Sequence, residues 1–163
     1  MRSILTSTTF WFFVVWSCVV LGASLYEAIA VWPVVASDPP RSLAATNQAL
    51  GVPSRAGMFF WSWATPALGL VALAALLTSF GTPRPHMALR IASTVLLLIV
   101  VAATLLYFRP TIIRLVIDHG GGRPDDEIAA QMRQWVLLNW VRVSTLAVSA
   151  GLGVRALLLL HKS

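Results

Sequence analysis

Charged residues are scarce in this chain of 163 residues, and acidic residues are the scarcest. Only 11% of the residues are charged, against roughly 25% in soluble domains, and 6 Asp and Glu stand against 12 Lys and Arg. Hydrophobic residues make up 58% of the chain, and the mean hydropathy is +0.79. This composition argues against a soluble globular domain and predicts an integral membrane protein.

Cysteine is nearly absent, because Cys18 stands alone. A disulfide within the chain is therefore impossible, and so are a CxxC redox pair and a cysteine-based zinc site. No His, Asp and Glu residues have the spacing of a metal site, and the sequence has no P-loop, dinucleotide fingerprint or serine nucleophile elbow. We therefore predict no metal and no cofactor.

Basic clusters are also absent, although the net charge is +6. The basic residues are scattered at the ends of apolar segments, which favours contact with anionic lipid headgroups over nucleic acid. We predict membrane lipids as partners and no nucleic acid.

Long apolar runs are what the chain has in abundance. A membrane-spanning helix needs about 20 apolar residues. One all-α domain over residues 1–163 is predicted, an integral membrane antiparallel four-helix bundle. Its predicted spans are residues 8–35, 57–80, 87–108 and 130–160.

The last two helices are predicted to be longer than the membrane is thick. Span three continues into residues 109–118 after a break at Pro110, and a helix over 125–160 would measure about 54 Å at 1.5 Å per residue. The hydrocarbon core is only about 30 Å thick. Both helices should extend beyond the membrane beside the polar loop 36–56, where residues 42–50 suit a short interfacial helix.

An even number of spans places both termini on one side of the membrane. The arginines at and after the short loop 81–86, Arg84 and Arg90, favour the cytoplasmic side for the termini. We therefore predict a bacterial inner membrane protein with cytoplasmic termini. The half of the bundle beside the 36–56 loop is called the outer half below, and the other the inner half.

Glu27 is the most unusual residue of the apolar runs, because it lies in span one before the polar loop begins. A charge at that depth costs a few kcal/mol, so it must be neutral, paired or in contact with water. Arg142 in span four lies at a similar depth from the same surface. We predict an ion pair between the two side chains.

The outer half is predicted to hold a ligand pocket, and the inner half to be apolar packing. Trp135, Asn139 and Arg142 follow one another at spacings of four and three residues, so they share one stripe of the helix. Aromatic residues of the other spans reach the same depth. The ligand-binding candidates are Trp135, Tyr107, Trp61 and Tyr26.

These residues also have a purely structural interpretation. Glu27 and Arg142 would fix the register of two helices, and Asn139 would make an interhelical hydrogen bond. The tryptophans would form the aromatic belt that membrane proteins place at their interfaces. This alternative predicts that the two charges are fully packed, with no cavity between the helices.

Three short motifs resemble those of one family. They are "YEAIAVWP" late in span one, "YFRPTII" at the end of span three and "WVLLNWVR" at the start of span four. The chain is similar in layout to the small four-span membrane proteins of the DUF1772, or anthrone oxygenase-like, family. The residues that carry the resemblance are Tyr26, Glu27 and Pro33, then Phe108, Arg109 and Pro110, then Trp135, Asn139 and Arg142.

The resemblance implies cofactor-independent oxygenation of a hydrophobic aromatic or lipid-like small molecule. It implies that Glu27 acts as the base, while Arg142 stabilises an enolate oxygen and Asn139 orients the substrate. The alternative is a non-catalytic membrane protein that binds a lipid, a quinone-like ligand or a partner protein. A transporter is disfavoured, because no span carries ionisable residues through its full depth. A homo-oligomer is compatible with every interpretation.

Overall fold

A computed structural model of the chain describes residues 2–49, 53–80, 84–116 and 122–160, and every long element in these ranges is helical, with no strand among them. Apolar chains adopt helices in membranes because a helix satisfies its backbone hydrogen bonds within one segment. In chain order the elements are α1 (Arg2–Tyr26), a first π turn (Glu27–Val31), α2 (Trp32–Val35), α3 (Arg41–Ala49), α4 (Pro53–Ser79), α5 (Arg84–Ala103), a second π turn (Thr104–Phe108), α6 (Arg109–Val116) and α7 (Asp125–Leu160).

These elements form four spans around a common axis. Span one comprises α1, the first π turn and α2; span two is α4; span three comprises α5, the second π turn and α6; span four is α7. Each span packs against the next, and α7 packs back against α1, which closes the bundle. The predicted all-α membrane four-helix bundle is confirmed, with spans Ser7–Val35, Phe59–Ser79, His86–Val116 and Asp125–Leu159.

Spans three and four are longer than the membrane is thick, as predicted, and they carry a cap on the outer side. They have 31 and 35 residues, or about 46 and 52 Å at 1.5 Å per residue. In the cap, α3 packs against both α2 and α6, and it corresponds to the predicted interfacial helix. The hydrophobic cluster of this region, called the outer core below, consists of Val35, Leu43, Phe108, Leu115, Ile128, Met132 and Trp135.

In the inner half, small residues bring α5 and α7 close together. Ser93 Oγ donates to the Ser149 carbonyl at 2.7 Å, and Ser149 Oγ donates to the Ser93 carbonyl at 2.8 Å. Gly153 lies one turn further along α7, where a Cβ would stand only 2.9 Å from Val14 Cγ2. Small residues let membrane helices approach closely. The inner core around them includes Phe13, Val20, Leu68, Ala72, Leu97 and Leu146.

Arg90 is buried inside the inner half. Its side chain is 1% exposed, and its guanidinium carbon lies 4.1 Å from the centroid of the Phe10 ring. A cation over an aromatic face stabilises a desolvated guanidinium. The prediction of plain apolar packing in the inner half is therefore wrong at this position.

A proline follows closely after each π turn. Pro33 comes after the first turn and Pro110 after the second. Proline lacks an N–H and clashes with the carbonyl of the preceding turn, and a local π turn is one of the adjustments by which membrane helices accommodate it. Span three therefore stays helical through Pro110, and the predicted break at this residue is wrong.

Candidate functional site

Glu27 is the first residue of the first π turn, and its half-buried side chain reaches α4. The indole Nε1 of Trp61 donates a hydrogen bond to Glu27 Oε1 at 2.6 Å. The indole of Trp32 interacts electrostatically with the same carboxylate. A hydrogen bond to an ionised carboxylate is stronger than one between neutral groups, so Trp61 joins span two to the acid of span one.

Arg142 is held by side chains of spans three and four. Its Nε donates to Asn139 Oδ1 at 3.0 Å, and its Nη1 donates to Thr104 Oγ1 at 3.3 Å. The guanidinium carbon lies 5.2 Å from the centroid of the Phe108 ring. Asn139 is buried one turn before Arg142 on α7, on the stripe that the sequence predicts. These contacts orient the guanidinium without using all of its N–H groups.

Glu27 and Arg142 attract each other but do not touch. Each lies within electrostatic range of the other, yet no N–O distance between them is 4.0 Å or less. The predicted ion pair is therefore an electrostatic interaction without direct contact between the two side chains. The reason is that Trp61 bonds the carboxylate, while Asn139 and Thr104 bond the guanidinium.

The predicted ligand-binding aromatic residues occupy different environments. Trp61 bonds the carboxylate, whereas Trp135 is 3% exposed and its Nε1 donates to the Phe108 carbonyl at 3.1 Å. Tyr107 is half-buried, with its ring centroid 5.1 Å from that of Phe108. Tyr26 is 66% exposed on the surface of the bundle. The structure thus brings Trp61 to the carboxylate and leaves Tyr26 apart from it.

Thr104, which the sequence did not predict, joins the candidate site through its hydrogen bond with Arg142. It begins the second π turn, as Glu27 begins the first, so each π turn contributes its first side chain to the site. Single π turns within helices frequently occur at functional sites. The signal in the sequence was a proline six residues after each of them, Pro33 and Pro110.

Aromatic rings separate the carboxylate from the cap. Trp32 packs edge-on against Trp135 with ring centroids 4.5 Å apart, and Trp135 packs against Phe108 at 5.8 Å. Trp32 Nε1 is buried and has no hydrogen bond of good geometry in the described part of the chain. Because Trp135 belongs to the outer core, these rings continue the apolar packing of the cap toward the span that carries Glu27.

Two shallow depressions, of about 350 and 360 Å³, lie on the cap. Arg41 lines both, and neither contains Glu27 or Arg142. Within the described ranges no three His, Cys, Asp or Glu side chains come together where a metal ion could bind. These two depressions are therefore separate from the carboxylate and the guanidinium.

One comparison with known proteins finds a match. The family model described as anthrone oxygenase matches residues 58–152, which is more than half of the chain. The matched range begins just before Trp61 and includes the stripe with Asn139 and Arg142, whereas Glu27 precedes it. No curated protein and no solved structure matches the chain.

Proposed function

Because the chain belongs to the anthrone oxygenase family, we propose that it is a membrane-embedded enzyme that oxygenates a hydrophobic aromatic small molecule without a cofactor. The observation that carries the proposal is the arrangement of Glu27 and Arg142. A carboxylate and a guanidinium from different spans lie within electrostatic range and are not in contact. Such a pair is suited to act on two positions of one conjugated substrate.

Glu27 serves as the general base in this reaction. It removes a proton from an acidic carbon of the substrate, and the electron pair is delocalised onto a conjugated oxygen that Arg142 stabilises. The carbon then reacts with dioxygen, and the resulting hydroperoxide loses water to leave a ketone. In balance, one CH₂ group and one O₂ give one C=O group and one water, so dioxygen is the oxidant.

Asn139 and Tyr107 orient the substrate oxygens. Asn139 Oδ1 accepts from Arg142, which leaves the amide N–H groups for a substrate oxygen. Tyr107 is half-buried in the second π turn. The rings of Trp135 and Phe108 supply an apolar wall against which a flat aromatic substrate packs.

A non-catalytic role is the second candidate, and the hydrogen bonds favour it. Glu27 is bonded by Trp61 and Arg142 by Asn139 inside the bundle, and the depressions of the cap lie elsewhere. Under this alternative the two charges fix the register of the helices. The protein then binds a lipid, a quinone-like ligand or a partner protein.

We place the protein in the bacterial inner membrane, with both termini in the cytoplasm and the cap outside. The four apolar helices support the bilayer location. The arginines at and after the 81–86 loop support the orientation, because short cytoplasmic loops are rich in basic residues. Lipids, and in a homo-oligomer a second copy of the chain, then cover the exposed apolar faces.

The exchange Glu27→Gln tests the proposed base. Gln has nearly the same shape and keeps an oxygen that accepts from Trp61, so the bundle should remain folded. With the protein in lipid nanodiscs, dioxygen uptake and anthraquinone absorbance with anthrone as substrate should fall by at least about 100-fold, the lower end of the effect of a general base.

Glu127→Gln is the matched control, because Glu127 is an exposed carboxylate in the first turn of α7. It should keep the wild-type rate. A wild-type rate for Glu27→Gln contradicts the proposal. Unfolding of Glu27→Gln that the double exchange Glu27→Arg with Arg142→Glu reverses would instead establish the structural pair.

A further inference from the structure

The outer end of α4 stands apart from the outer core. That core draws its residues from α2, α3, the second π turn, α6 and α7, and none of the described side chains of α4 belongs to it. Of the buried apolar residues of α4, Leu68, Ala72 and Ala75 lie in the inner core, whereas Ala64, nearer the outer end, belongs to neither cluster. The outer end of α4 contacts span one through the hydrogen bond from Trp61 to Glu27 and through the Trp63 ring, whose centroid lies 5.5 Å from that of Trp16.

Apolar side chains beside this connection face outward. Phe59 and Trp63, on either side of Trp61 in α4, are 75% and 44% exposed. Ile29, in the turn that begins with Glu27, is 64% exposed. In a bilayer these surfaces contact lipid tails, and the half-buried Trp61 ring that bonds the carboxylate lies beside them.

A proline lies directly after this part of α4. Pro66 stands inside the helix, where it cannot donate the usual backbone hydrogen bond and where helices kink or flex. The segment with Trp61 precedes the proline, and its indole packs against the inner core, whose α4 members Leu68, Ala72 and Ala75 follow the proline. Pro66 is thus a place at which the outer end of α4 can bend, and bending there would carry the Trp61 and Trp63 rings away from span one.

We infer that Glu27 is reached laterally from the lipid phase, between span one and the outer end of α4, and that the Trp61 indole is the gate that closes this route. The apolar outer core lies on the cap side of Glu27, which argues against a route from the outer aqueous side. The site therefore takes an uncharged, membrane-dissolved aromatic molecule. Such a molecule must carry a hydrogen-bonding oxygen, because opening the gate frees the Trp61 N–H donor at the site.

This inference rests on the proposed function for the identity of the site, but access to Glu27 is measurable without turnover. Dicyclohexylcarbodiimide is an apolar reagent that partitions into membranes and modifies carboxyl groups. A charged carbodiimide reaches carboxyl groups from water. The protein is reconstituted in lipid nanodiscs, treated with either reagent at mildly acidic and neutral pH, and digested, and the modified peptides are located by mass spectrometry.

The apolar reagent should modify Glu27, and the charged reagent should modify the exposed Asp125, Asp126 and Glu127 and leave Glu27 unmodified. Trp61→Phe keeps an aromatic ring and removes the hydrogen bond to the carboxylate. Loss of a hydrogen bond to a charged group should raise the modification rate of Glu27 by about tenfold. Trp63→Phe, two residues away, is the matched control and should leave the rate unchanged.

Modification of Glu27 by the charged reagent at a comparable rate would overturn the lateral route, because it would show access from water. No modification by either reagent, in the wild type and in Trp61→Phe, would overturn it as well, because the site would then be sealed. Modification by the apolar reagent alone, in a protein that does not oxygenate anthrone, would support the lateral route and contradict the proposed enzyme.

Discussion

The outer and inner halves of the bundle both bury polar groups, but they satisfy them differently. In the inner half, Ser93 and Ser149 bond each other's backbone carbonyls in a closed pair between two helices. In the outer half, side chains of four spans bond one another, with Trp61 on Glu27 and Thr104 on Arg142. The serine pair is closed on itself and holds two helices together, whereas the two charged side chains of the outer half are bonded by separate partners and not by each other.

The backbone conformation also differs between the inner and outer halves. The inner half is α-helical, while each of spans one and three contains a π turn in the outer half. Each π turn begins at a polar residue of the site, Glu27 or Thr104. Polar residues inside the membrane helices therefore occur in both halves and do not by themselves distinguish the candidate site. The π turns, whose first side chains converge, distinguish it better.

Among the exchanges that test the difference between the two halves, Arg142→Lys should have the largest effect, and this effect is on the rate of oxygenation. Lysine keeps the positive charge but loses the planar donor arrangement that bonds Asn139 and Thr104. Misplacement of the cation by about 1 Å should lower the rate of anthrone oxygenation about 100-fold, with little change in thermal stability in detergent. Arg133→Lys, at an exposed arginine of the same helix, should change neither quantity. A large loss of stability with an unchanged rate would show that the outer half is as structural as the inner half.

A smaller effect, on stability alone, is expected for Gly153→Ala in the inner half. The added Cβ would stand 2.9 Å from Val14 Cγ2 and 3.1 Å from Ser93 Oγ, and overpacking of this kind costs about 1–3 kcal/mol. Denaturant titration in mixed micelles measures this loss, and the rate per folded molecule should not change.

Gly151→Ala is the control for this exchange, since a Cβ at Gly151 meets nothing within 4 Å. It should stabilise the helix slightly, because alanine is a better helix former than glycine. If both glycine variants unfold at the same denaturant concentration, close packing at Gly153 does not hold α7 against α1.

The smallest effect is expected for Ser93→Ala, which removes one hydrogen bond of the serine pair. Side-chain hydrogen bonds between membrane helices contribute about 0.6 kcal/mol on average, so unfolding should shift by roughly that amount and the oxygenation rate should stay unchanged. A fall in the oxygenation rate as large as that expected for Arg142→Lys would show that the inner half also affects the reaction, and it would contradict the distinction between the two halves.

Much of the site was predictable from depth along the spans. Glu27 and Arg142 lie at similar distances from the outer surface, and the spacing of Asn139 and Arg142 places them on one face of α7. The separation of the two charges was not predictable. The depth of a residue along its span determines neither the distance between two spans nor which side chain donates to the carboxylate. Thr104 was not predicted because a single hydroxyl in an apolar helix usually donates to the backbone of its own helix. The Thr104 hydroxyl does so as well, to the Val100 carbonyl.

The sequence by itself determined that this chain is a four-span helical membrane protein, because apolar runs of sufficient length leave the backbone no other way to satisfy its hydrogen bonds in lipid. Helix lengths likewise determined the overhang of spans three and four. Only the tertiary structure decided that Glu27 pairs with Trp61, that Arg142 pairs with Asn139 and Thr104, and that Arg90 is buried over Phe10. These pairings depend on how whole helices are rotated and spaced relative to one another. The close approach of α5, α7 and α1 sets that rotation and spacing, and the periodicity of a single helix does not reveal it.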